Sequence, residues 1–111
     1  MVSDIALARA FKTLSHPRRA RLFRLLAERP ELGRSLGTLE RATRIKETPL
    51  IHHLREMERG GLLLRRRTGA TVAHVLTPAA LTLALDEVGR LAGAASGARR
   101  PSRSAPAAAP R

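Results

Sequence analysis

The residues best equipped for chemistry are two adjacent histidines, His52 and His53, and the arginines around and after them: Arg55, Arg59, Arg65, Arg66 and Arg67. Neighbouring histidines suggest a metal site, and clustered guanidinium groups suggest a phosphate backbone. Helical geometry separates the two readings. The segment "TPLIHHLREMERGGLL" (48–63) has a helical period, with Thr48 as N-cap, Pro49 as first residue and Gly60-Gly61 as the stop. At about 100° per residue, His52 and His53 point in different directions and cannot share an ion. Leu50, Leu54 and Met57 fall on one side, with His53 near their edge as a packed or backbone-bonded residue. Thr48, His52, Arg55 and Arg59 fall on the other side, and Ile51 flanks them. Hydrogen-bonding groups at the helix start and guanidinium groups further along suit a helix inserted N-terminus first into a major groove. Taken alone, an ordinary solvated face would look the same.

Other elements must position this row. "SDIALARAFKTL" predicts a first helix capped by Ser3. Leu7, Ala10, Phe11 and Leu14 form one apolar stripe; Val2, Ile5 and Ala8 lie on another side, so one side faces the core and the other a partner. "SHPRRARLFRLLAERP" predicts a second helix entered at Pro17, with Leu22, Leu25 and Leu26 inward. A short third helix, "LGTLERAT", follows Ser35 and turns Leu36, Leu39 and Ala42 inward. A tight connection, "RIKE", makes it a helix-turn-helix with the segment above. The period then changes from 3.6 to 2: "LLLRRRTGATVAHVLTP" predicts a β-hairpin turning at "TGAT", with Arg66 on the face opposite Arg65 and Arg67. Pro78 opens a last helix whose stripe is Leu81, Ala84, Leu85, Val88 and Ala92, with Leu91 beside it. The expected fold is mainly α with a small β-hairpin, in the order α-α-α-α-β-β-α. One domain spans 1–93. Residues 94–111, rich in Ala, Pro, Ser, Gly and Arg, are expected to be a disordered basic tail.

Composition narrows the function. The 111 residues carry 21 Lys plus Arg, 19 of them Arg, against 9 Asp plus Glu, for a formal net charge of +12. Such an excess fits a polyanion, because neutralised phosphates release condensed counterions. With Phe11 and Phe23 the only aromatic residues beyond histidine, no stacking platform for single strands is available. Cysteine is absent, which removes disulfides, thiolate catalysis and cysteine-ligated metals. The first twenty residues hold Asp4, Arg9, Lys12, Arg18 and Arg19 and so offer no signal-peptide core; nothing approaches a membrane span of about 20 apolar residues. A cytoplasmic, nucleoid-associated protein is expected. No nucleophile, carboxylate pair or phosphate loop has useful spacing, so an enzyme is not expected and no cofactor is implied.

The chain resembles the ArsR-type winged helix-turn-helix repressors of bacteria over about residues 5–92, more than their MarR-like relatives. "LSHPRRARLFRLLAE" is similar to the family's L-x-D-P-x-R-x-x-I-L-x-L-L, and "SLGTLERATRIKETPLIHHLREMERGGLL" to its helix-turn-helix ending H-L-x-x-L-x-x-x-G-L. "RRRTGATVAHVLTP" corresponds to its wing. The resemblance implies a homodimer joined through the first and last helices, where Ile5, Ala8, Leu81, Leu85, Val88 and Ala92 are the candidates. Such a dimer binds an inverted-repeat operator on double-stranded DNA and represses transcription. The base-reading positions implied are Glu47, Thr48, Pro49, Ile51 and His52, with Arg65, Arg66 and Arg67 on the backbone. The sequence departs from the family pattern at four points: an acid at Glu47, no N–H at Pro49, bulk at Ile51, and Arg44 in place of the usual turn glycine. Family metal sensors use cysteines, or Asp and His pairs on the last helix. This chain has no Cys, and its last helix has only Asp86 and Glu87, so metal sensing through those sites is not expected. Whether a small-molecule effector exists is not legible. The rival reading is a sequence-tolerant architectural DNA- or RNA-associated protein, in which the same charge works without base reading.

Overall fold

The computed structural model describes residues 2–99. Helix α1 (Asp4–Leu14) is capped by Ser3, whose hydroxyl accepts from the Ala6 N–H at 3.1 Å. Helix α2 (Pro17–Ala27) is capped by His16, whose Nδ1 accepts from the Arg18 N–H at 3.1 Å, and α3 (Leu36–Thr43) by Ser35. Helix α4 (Glu47–Arg59) follows a three-residue turn; strands β1 (Leu63–Thr68) and β2 (Thr71–Leu76) form an antiparallel hairpin; α5 (Ala79–Arg99) closes the order α-α-α-α-β-β-α. An extra bridge joins two distant segments: Arg34 and His74 exchange backbone hydrogen bonds of 3.0 and 2.8 Å, which ties the α2–α3 loop to β2.

The core is the meeting point of the predicted stripes. Leu22 and Leu26 from α2, Leu39 from α3, Leu50 and Met57 from α4 and Leu62 before β1 are fully buried, and each such side chain contributes roughly 1.5–3 kcal/mol. Three expectations change. Ala42 is exposed and Thr43 is buried instead, because the Thr43 hydroxyl donates to the Leu39 carbonyl at 2.7 Å and accepts from the Ile45 N–H at 3.1 Å; it fastens the turn. Helix α4 starts at Glu47 with Lys46 as N-cap, so Thr48 is not the cap and Pro49 is the third helical residue. That position needs no amide donor, and an acid in the first turn suits the positive helix end. Helix α5 continues to Arg99, past the boundary expected at 93, since the alanines at 94 and 95 readily extend a helix already nucleated. The remainder of the expected tail, 100–111, lies outside the described residues.

Candidate nucleic-acid interface

The turn between α3 and α4 hinges on Arg44, which adopts the left-handed conformation (φ 61°) expected of the residue replacing the turn glycine. On α4, burial of Leu50, Leu54 and Met57 forces the opposite row outward. Thr48, His52, Arg55 and Arg59 are all exposed, as is Glu47, while Pro49 is half-buried. Arg55 has no ion-pair partner among the described residues. Arg59 departs from the group: it pairs with Glu56 and lies about 16 Å along the helix from Thr48, at 1.5 Å per residue. Ile51 is half-buried and, with Leu36, Leu54 and Val72, gives apolar lining to a groove of about 220 Å³ that Arg55, Glu58, Arg65 and the buried His74 also line. Its bulk serves this apolar lining between α4 and the hairpin.

The three hairpin arginines do different things. Arg65 Nε lies 3.2 Å from Glu58 Oε1 on α4, which binds the hairpin to the helix. Arg66, on the opposite face, donates to the backbone carbonyls of Glu31 and Leu32 and so straps the hairpin to the α2–α3 loop. Arg67 has no ion-pair partner among the described residues and is fully available at the hairpin tip. Strand alternation separates Arg66 from its neighbours, and the long-range partners were not legible in sequence.

The buried histidines are structural. His53 Nδ1 accepts from Arg19 Nε at 3.2 Å and its ring lies 4.6 Å from that of His16, so it joins α2 to α4 through side chains, where a backbone bond was the sequence alternative. His52 and His53 rings are 5.7 Å apart with tilted planes. Among the described residues no three His, Cys, Asp or Glu side chains are grouped to hold a metal. Burial pushes the His53 pKa below its ordinary 6.5, helped by His16, Arg19, His52 and Arg18. Burial also lowers that of His74, reinforced by Arg65 and opposed by the Arg34 carbonyl and Glu58. The fold therefore favours the neutral form of each. The stability they confer is complete above pH 6.5 and is lost as pH falls through the lowered folded values, with a slope of at most about 1.4 kcal/mol per pH unit for each. Urea melts from pH 7.5 downward should show this decline, and His53→Gln should flatten it; an identical profile in the variant would refute the assignment.

The residues expected at the partner face are, with one exception, exposed. Ile5 is 71% and Leu85 53% exposed; Ala8, Val88 and Ala92 are exposed too, as is Leu91 next to the stripe, and the structure adds Leu83. Leu81 is the exception: it is 5% exposed and packs in the chain's own core. The first turns of α5 lie over that core, and only the later turns run clear of it.

No protein-family model and no curated protein matches the chain. Solved structures do. Rv0081 of M. tuberculosis is 32% identical, covering 81% of this chain and 89% of its own at a TM-score of 0.59. The transcriptional repressor BigR from Xylella fastidiosa is 32% identical, covering 72% of this chain and 80% of its own, also at 0.59. The homodimeric winged helix-turn-helix DNA-binding domain Mb0332 from Mycobacterium bovis, a possible ArsR-family regulator, shares the fold at 24% identity, 91% and 89% coverage and a TM-score of 0.62.

Proposed function

Because the chain belongs to the ArsR family of winged helix-turn-helix transcriptional regulators, we propose that it is a homodimeric repressor that reads an inverted-repeat operator with α4 and grips the flanking backbone with its hairpin. It is a regulator and not an enzyme. The observation that carries the reading is the outward row Thr48, His52 and Arg55, unpaired with acids and backed by the buried Leu50, Leu54 and Met57. Glu47 at the start of the row accepts from a cytosine amino group, and Thr48 and His52 supply hydrogen bonds to base edges. Arg67, free at the tip, takes a phosphate; Arg65 approaches one while tethered to Glu58, and Arg66 holds the hairpin in place. Dimerisation covers Ile5, Leu85 and Val88 and sets two α4 helices about one DNA turn apart. The regulator acts without the metal sites of its family, since it lacks their cysteines.

Gel shifts with its own promoter fragment and with random duplex in moderate salt test this reading. A repressor favours the promoter by at least about 10³-fold, whereas equal affinities would identify an architectural protein. In the same assay Arg67→Ala should weaken binding to all sequences and reduce the salt slope by about one, while Arg66→Ala should chiefly lower stability. An unchanged slope for Arg67→Ala would take the hairpin tip off the DNA.

A further inference from the structure

We propose that the cleft between α1, the start of α2 and the end of α4 is a binding site for a small polyanion, a ligand carrying two or more phosphate or carboxylate charges. The cavity is about 370 Å³, within the range of small-molecule sites. Arg9 and Lys12 reach it from adjacent turns of α1, Arg19 from α2, and Arg59 and Glu56 from α4. Glu56 is the one acid lining it and is already engaged by Arg59. Arg9, Lys12 and Arg19 have no carboxylate partner among the described residues.

Three uncompensated cations around one concavity repel each other, and a cleft with protein walls focuses their field; a bound anion relieves both. Arg19 is already positioned for this. Its Nε donates to His53 Nδ1 at 3.2 Å and its Nη1 to the Thr13 carbonyl at 3.4 Å, which leaves Nη2 outside these bonds. The floor is tight: a Cβ at Gly60 would stand 2.1 Å from Thr13 Oγ1, so α4 and α1 meet there with no room for a side chain. The cleft sits at the end of α4 remote from Thr48, so it is available to a ligand separate from DNA. A site built from Arg19, which holds α4 through His53, also links occupancy to the helix proposed to read DNA.

Titrating the full chain without DNA tests the site independently of the proposed regulator function. Inorganic pyrophosphate and citrate, added separately at physiological ionic strength, distinguish phosphate from carboxylate ligands. At least one should bind saturably, one per chain, and raise the melting temperature. The double variant Arg9→Gln, Lys12→Gln should weaken that binding by roughly tenfold or more while melting normally without ligand. The charge-matched control Arg24→Gln, Arg29→Gln, one exposed position on α2 and one just after it, should bind like the parent. Non-saturating binding of both anions, or equal losses in the two double variants, would overturn the proposal by showing general attraction to a cationic surface. Loss of DNA affinity in the Arg9, Lys12 variant, with no anion binding by the parent, would overturn it in favour of a backbone contact.

Discussion

Replacing Arg55 by Ala is expected to lower affinity for the operator roughly ten- to hundredfold and to leave affinity for random duplex nearly unchanged. A bidentate arginine–guanine pair is worth about 1–3 kcal/mol of discrimination, which is the use proposed for Arg55. Arg55 stands one turn after His52, exposed, without an acid partner among the described residues, and lining the same groove as Ile51. Among the described residues its guanidinium forms no ion pair, in contrast to those of Arg59 and Arg65, each tied to a glutamate. Duplexes selected from a random pool should contain guanine at one position in each half-site for the parent and lose that preference for the variant. An equal drop on selected and random duplexes would instead place Arg55 on the backbone.

Gly33→Ala is expected to cost the fold about 2–4 kcal/mol, a large share of the roughly 5–10 kcal/mol available to a domain of this size. Two effects add. Gly33 has φ +70°, where a Cβ costs roughly 1–2 kcal/mol, and that Cβ would stand 2.4 Å from the His74 carbonyl oxygen. The oxygen cannot yield easily, because it accepts the Arg34 N–H at 3.0 Å in the bridge joining the α2–α3 loop to β2. Gly69, at the hairpin turn, supplies the control: its φ is +64° but nothing lies within 4 Å of an added Cβ. Gly69→Ala should therefore show the conformational cost alone, and urea melts of the two variants isolate the clash. Equal losses would show that the loop moves aside freely.

The division of α4 into a buried row and an outward row was readable because a helix repeats every 3.6 residues and both rows are chemically pure. Leu50, Leu54 and Met57 admit no alternative face once the segment is helical. The strand alternation that set Arg66 apart from Arg65 and Arg67 was readable for the same reason. Periodicity was weaker where a polar residue could satisfy itself locally: it favoured Ala42 over Thr43, and the hydroxyl's two hydrogen bonds reversed the choice. It also placed Leu81 with Leu85 and Val88 on one stripe, although α5 leaves the core partway along, so that one stripe has a buried start and an exposed continuation.

The chain's local pattern thus specified its helices, its hairpin and the side of α4 that faces outward, since each depends on residues a few positions apart. Which cations remain free was decided in three dimensions. Arg19 meets His53 across 34 positions and Arg66 meets Glu31 across 35. Those pairings exist only after separate elements have packed. The same packing leaves Arg55 and Arg67 open to solvent and gathers Arg9, Lys12 and Arg19 around one cleft, because a guanidinium commits to whichever acceptor the finished fold brings within reach.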